Sequence, residues 1–290
     1  MKVLSLFDGM SCGRIALDRA GINVTSYHAS ELDKYAIKVT QANWPETVQL
    51  GDVTKWRDWD IDWKSIDLLI GGSPCQGFSF AGKQLAFDDP RSKLFFVYVD
   101  ILKYIRAVNP DVKFMLENVR MKKEYLDIIS EQLGVEPVFI NSALVSAQNR
   151  QRFYWANWKV EQPEDKGILL ADILEEAVDE DHLHTDKAIQ YMGRTGTTGR
   201  VKWSYMFHSE EIKGKSQCVT ANFFKGVPNN VLVTNNGVVR KFTTTECERL
   251  QTVQENYTNH VSNTQRYKML GNGWTVDVIA HIFKQGLNNE

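Results

Sequence analysis

The sequence has no Cys-x-x-Cys pair. Its four cysteines, Cys12, Cys75, Cys218 and Cys247, are scattered, so neither a clustered zinc site nor a disulfide framework is expected, and a reducing compartment suits it. It also lacks a long apolar run. The opening MKVLSLFDGM holds a short apolar stretch that passes into Gly and Asp, which fits neither a signal peptide nor a membrane span. No charge sign is in large excess. A net charge of −2 and a pI of about 6.3 leave nucleic acid open, because a local patch is what binds phosphate. No internal repeat, low-complexity tract or Gly-x-Gly-x-x-Gly dinucleotide fingerprint is found.

What is present describes a globular α/β protein. The 290 residues, 43% hydrophobic and 24% charged, suffice for a large domain and a smaller one. Through residue 155, short apolar runs alternate with helical patterns. Strands are expected at 2–7, 24–30, 66–72 and 113–118, and helices at 13–21, 34–44, 93–108 and 123–134. Such alternation implies βαβ units and a Rossmann-like parallel sheet whose ligands bind beyond the carboxyl ends of the strands. After Trp158 the pattern changes. Residues 160–186 hold ten acids and one base, with an acidic helix expected over 169–178. Residues 187–241 hold nine Lys or Arg and two acids, with Asn236-Gly237 as a hairpin signal. Helical patterns return from Thr243. The expected division is 1–158 as the main domain, 159–241 as a small irregular domain, and 242–290 as a return to the first.

Several motifs fall at the expected strand ends. LFDGMSCG (6–13) follows the first strand, and Gly9 and Gly13 permit a tight turn and close approach to a ligand. SELDKYA places Glu31 where an acid can take two ribose hydroxyls, and GDVTKW places Asp52 at another strand end. These sites fit an adenosine-type cofactor. Without a phosphate-binding pattern, they favour a nucleoside such as S-adenosylmethionine over NAD. GGSPCQGFSFAGKQ (71–84) puts Cys75 at the same edge. A lone cysteine is usually a small buried hydrophobe, but flanking glycines, Pro74 and Gln76 do not describe a packed strand. FMLENVR ends a strand with Glu117, an acid/base candidate or simply a helix cap. In AQNRQRFYWAN, Gln148, Arg150 and Arg152 share one side of an extended chain. Two arginines there could lock a carboxyl or lie on the surface.

Taken together and in this order, these motifs resemble the C5-cytosine DNA methyltransferases. RKFTTTECERLQT (240–252) and LGNGWTVDVIAHIF (270–283) complete the series, so the resemblance spans nearly the whole chain. It implies an S-adenosylmethionine-dependent methyltransferase domain with a small target recognition domain. It also implies a DNA (cytosine-5-)-methyltransferase that flips a cytosine from duplex DNA. Cys75 would add to C6, Glu117 would contact N3, and Arg150 and Arg152 would position the base and Glu117. Phe7, Asp8, Gly9, Gly13, Glu31, Leu32, Asp52, Val53, Pro74, Leu94 and Asn272 would hold the cofactor. Gln76, Ser79, Lys83, Arg194, Arg200, Lys202, Cys218 and Lys225 would meet DNA. The implied setting is a cytoplasmic, bacterial or phage-encoded monomer without metal or membrane. It leaves room for a separately encoded cognate restriction endonuclease.

Two departures are visible. Cys218 stands where many relatives have Thr, and Gly273-Trp274 replaces the more common Asn-Ser-Val pattern. The RNA-modifying branch of this family carries a Cys-Phe-Thr tripeptide that is absent here. Amino-methyltransferases carry an Asp/Asn/Ser-Pro-Pro-aromatic loop, also absent. A decayed, non-catalytic relative would lose Cys75, Glu117 or the arginines, and all are present.

Overall fold

Short apolar runs closed by turn residues form the central sheet. Its strands are β1 (Lys2–Leu6), β2 (Ser26–Ser30), β3 (Val48–Gln49), β4 (Leu68–Gly71), β5 (Lys113–Val119), β6 (Val138–Asn141) and β7 (Gln151–Ala156), in the order β3-β2-β1-β4-β5-β7-β6. The first five are parallel, and β7 runs antiparallel to β5. This computed structural model describes residues 1–74, 93–190, 207–209, 214–234 and 236–287. Cys75, Gln76, Ser79, Lys83, Arg194, Arg200 and Lys202 lie outside the described residues.

The mostly parallel sheet meets the expectation of a Rossmann-like α/β fold. Helices α1 (Cys12–Arg19), α2 (Lys34–Asn43), α3 (Lys93–Val108) and α4 (Lys123–Leu133) link its strands. Asp33 caps α2 by accepting the Tyr35 N–H, and Gly134 closes α4 in the left-handed conformation that its missing Cβ allows. Alternate strand residues Leu4, Leu6, Leu69, Phe114, Leu116 and Trp155 enter one core with α3 and α4. The opposite set, including Val3, Tyr27, Ala29, Leu68, Ile70 and Met115, is equally buried, as a sheet covered on both faces requires.

The chain forms two compact units. Met1–Ile140, Gln151–Gln162 and Val278–Glu290 make the first, and Asn141–Arg150 with Pro163–Asp277 make the second. The second contains β8 (Phe207–Ser209), β9 (Val231–Val233), β10 (Val239–Arg240), α5 (Thr244–Leu250) and α6 (Asn263–Asn272). α7 (Val276–Leu287) begins in the second unit and continues into the first. β9 and β10 form the hairpin expected at Asn236-Gly237, with Gly237 at φ 81°.

The structure departs from the reading of the sequence in its domain limits and in one element. Residues 141–150, expected in the main domain, group with the second unit. Residues 242–277 group with the second unit rather than the first. There Arg240 grips Glu246 at 2.7–2.8 Å through two nitrogens, and α6 passes so close to the preceding segment that a Cβ on Gly271 would lie 2.1 Å from the Thr220–Ala221 backbone. The acidic helix expected over 169–178 is a single 3-10 turn, Leu170–Ile173. Leu170 and Ile173 are buried three residues apart, while Leu174 is extended and the Glu175 N–H donates to Glu246 at 2.9 Å. One turn satisfies the two apolar side chains, and a tertiary acceptor takes the amide that a second turn would have used. No helix among the described residues is long and apolar enough to cross a membrane.

Candidate active site

Strand register brings the candidate residues of the first unit to one edge. Leu6 lies beside Ser30 and Gly71, and Gly71 beside Leu116. The tips of β2, β1, β4 and β5 therefore end together. A Cβ on Gly71 would lie 3.1 Å from the Leu6 carbonyl and the Tyr98 ring, so the central strands admit only glycine comfortably at this point.

The β1–α1 turn is wound through three left-handed residues, Phe7, Gly9 and Ser11, at φ 57°, 59° and 62°. For the two non-glycine residues this conformation costs on the order of 1 kcal/mol or more each, and such costs gather at ligand sites. Hydrogen bonds hold the turn. The Asp8 carboxylate accepts from Ser5 Oγ at 2.6 Å, from the Tyr27 hydroxyl at 2.7 Å and from Ser11 Oγ. Asp8 is thus an internal brace of the turn. Burial pushes its carboxyl up to about 6 against the pull of those hydroxyls. Gly13 is buried in the first turn of α1, and Phe7 and Leu94 pack on the edge of the main core.

Glu31 stands just past β2. Its Oε2 accepts the Gly9 N–H at 2.7 Å, and its Oε1 accepts the Leu32 and Asp33 N–H groups at 2.7 and 2.8 Å. Leu32 beside it is 70% exposed, a bare apolar side chain at a strand tip. Asp52 Oδ1 accepts both the amide and the hydroxyl of Thr54 at 2.9 and 2.8 Å. The amide bond foremost, then the hydroxyl, hold the Asp52 carboxyl below its ordinary value. Val53 is buried behind it.

Glu117 lies near the tip of β5, 8% exposed. Antiparallel pairing sets Glu117 opposite Tyr154 and Val119 opposite Arg152, so Glu117 and Arg152 are diagonal neighbours on one face. Arg152 Nε reaches Glu117 Oε1 at 2.8 Å. The next residue, Asn118, donates to Ser73 Oγ at 3.2 Å and ties Ser73-Pro74 to the same strand. Reading the sequence missed both Asn118 and Ser73. Their only signal was adjacency to Glu117 and Pro74.

Arg150, expected to work beside Arg152, belongs to the second unit. Its Nη1 donates to Cys218 Sγ and the Val219 carbonyl, each at 3.0 Å. Its Nη2 donates to the carbonyls of Gly271 at 3.2 Å and Gly273 at 2.8 Å. All four terminal N–H donors of a guanidinium are thereby engaged. Gln148 also serves this segment, donating to the Leu250 carbonyl and Gln251 Oε1 and accepting from the Val219 amide at 3.2 Å. Asn272 is exposed at the end of α6, between the two carbonyls that Arg150 holds. Lys225 is exposed in the 3-10 turn Phe223–Lys225.

The model of the C-5 cytosine-specific DNA methylases matches residues 1–288. The chain belongs to that family. Among related methylases, the type II methyltransferase M1.ScrFI of Lactococcus lactis subsp. cremoris is 31% identical over 99% of this chain and 78% of its own. M.NlaX of Neisseria lactamica, also a type II methyltransferase, is 31% identical over 98% of this chain and 95% of its own. The Entamoeba histolytica methyltransferase EhMeth shares the fold at a TM-score of 0.79, with 19% identity and coverage of 98% of this chain and 97% of that one. The Rossmann-like fold and the activity of a DNA (cytosine-5-)-methyltransferase are thus those of this methylase.

Proposed function

We infer that this methylase uses S-adenosylmethionine and that Cys75, Glu117 and Arg152 carry its chemistry on a cytosine flipped from duplex DNA. The observation that carries the assignment is the Glu117–Arg152 pair at 2.8 Å, on the strand edge where Gly9, Glu31 and Pro74 also lie. The edge suits a nucleoside cofactor chemically. Glu31 is fixed by three amides beside a turn that brings backbone close, Leu32 offers an apolar wall, and Asp52 keeps Oδ2 for an amino group. When bound, S-adenosylmethionine supplies an electrophilic methyl group.

C5 of cytosine is a weak nucleophile inside an aromatic ring. Addition of the Cys75 thiolate to C6 breaks the aromaticity and moves electron density to N3 and C5. Glu117 hydrogen-bonds N3 and stabilises the adduct, while Arg152 fixes the orientation of the Glu117 carboxyl. After C5 has been methylated, loss of its proton and elimination of the Cys75 thiolate restore the ring. These atoms are out of reach within a stacked duplex, so extrusion of the base, costing a few kcal/mol, precedes the chemistry. Arg150 has a different task. It braces the Cys218–Val219 segment and the turn around Asn272 within the second unit.

The test is transfer of tritium from labelled S-adenosylmethionine to mixed-sequence duplex DNA, with the product identified as 5-methylcytosine. Label in 5-methylcytosine is expected from the wild type and none from Cys75→Ala. DNA containing 5-fluorocytosine at the target should give an adduct stable to SDS, because fluorine blocks the final elimination. An active Cys75→Ala enzyme, or an active wild type that forms no adduct, would overturn the assignment. Bisulfite sequencing of a plasmid propagated with the protein gives the target site.

A further inference from the structure

Phe224 lies beside two cations. Lys268 Nζ stands 5.1 Å from the ring centroid and Lys225 Nζ 5.7 Å. The lysines come from separate elements, Lys225 from the 3-10 turn Phe223–Lys225 and Lys268 from α6. Both elements are pinned from inside the second unit. Phe223 is buried and stacked on Phe242 at 6.1 Å, and the hydroxyl of Tyr267 donates to the Phe242 carbonyl at 2.6 Å. The residues next in sequence, Phe224 and Lys268, meet one another at the surface. Close approach of Gly271 to the Thr220–Ala221 backbone locks the spacing.

Among the described residues, no carboxylate lies within 4 Å of either lysine. A ring face attracts each cation only weakly at an exposed site. Two ammonium groups that share one ring, with no carboxylate beside them among the described residues, form a preorganised receptor for an anion. Its side chains have already lost part of their rotamer freedom.

We propose that Phe224, Lys225 and Lys268 form a phosphate clamp that grips the sugar–phosphate backbone of the duplex substrate without reading its sequence. The proposal rests on the reading of the chain as a DNA methylase and adds Phe224 and Lys268 to the residues expected at DNA. A compact ammonium group is a point charge that suits a phosphate oxygen, and contacts to phosphate position a protein on the duplex without reading its bases.

The test is the salt dependence of duplex binding, followed by fluorescence anisotropy for the wild type, Lys268→Gln, Lys225→Gln and Lys268→Arg. Each Gln variant should lower the slope of log Kd against log salt by about one and weaken binding roughly eightfold at 0.1 M salt, equally on target and scrambled duplexes. Lys268→Arg should restore the wild-type slope, which a packing role for the lysine stem alone would not predict. Unchanged slopes in both Gln variants, with the wild type active on cytosine, overturn the clamp alone. So does a loss confined to the target sequence. A wild type that neither binds nor methylates duplex DNA overturns the clamp together with the reading beneath it. If Lys268→Gln fails to fold, the exposed Lys225→Gln variant carries the test.

Discussion

Asp8 and Glu117 are both carboxylates near the strand edge, yet their surroundings assign them different work. Glu117 faces an arginine, whereas Asp8 faces three hydroxyls and no cation among its hydrogen-bond partners. Burial raises the Asp8 carboxyl to about 6 from an ordinary 3.8. The native state therefore holds a proton between those values that the unfolded chain releases. The contribution of this group to stability is complete below about pH 4 and is lost as pH rises towards 6. Asp8→Asn removes that titration. Urea unfolding at intervals from pH 4 to 7 should show the wild type losing up to about 3 kcal/mol relative to Asp8→Asn across the window. Parallel profiles for the two proteins would contradict it. Glu117 was legible in the sequence because a strand-ending acid next to Asn-Val needs only the strand to be placed. Asp8 and Arg150 were legible as polar residues in motifs, but their direction was not. Asp8 is turned inward by Ser5 and Tyr27. Arg150 is claimed largely by backbone carbonyls up to 123 positions away, and a carbonyl leaves no mark on residue identity.

At the level of elements, alternation and terminal residues were enough for α3, whose expected and observed limits agree at 93–108, and for the Gly134 cap of α4. The short strands β3 and β6 escaped because two to four residues carry too little pattern. The 169–178 segment read as a helix because local pattern cannot register the Glu246 acceptor waiting 71 residues on. The approach of α6 to the Thr220–Ala221 segment was equally invisible, since Gly271 has no side chain to advertise it. Gly271→Ala would place a carbon 2.1 Å from that backbone. It should therefore destabilise the protein by about 3 kcal/mol, read as a lower denaturant midpoint. A midpoint within error of the wild type would mean that the two segments separate freely.

Taken whole, the chain crosses between its units repeatedly, and the ten residues Asn141–Arg150 belong with a unit whose remainder begins at Pro163. Those ten supply Gln148 and Arg150 to the interior of the second unit and the carbonyls of Ala143 and Ser146 to Lys215. Domain limits drawn from composition placed them elsewhere, because charge balance shifts where the surface changes and not where the chain packs. A fragment of residues 163–277 should therefore lack cooperative unfolding. Joining 141–150 to it through a flexible linker should recover a sigmoidal transition by circular dichroism. Cooperative unfolding of 163–277 alone would show these ten residues to be dispensable.

Arg150 also bears on how such methylases can be re-engineered. One guanidinium fastens both the Cys218–Val219 strip and the carbonyls on either side of Asn272. A transplant of residues 214–226 from a relative with another DNA preference inherits that fastening point whether or not its backbone suits it. Chimaeras that exchange the strip alone depend on the incoming backbone meeting Arg150. Those that carry 148–150 and 271–273 along with it move the whole joint.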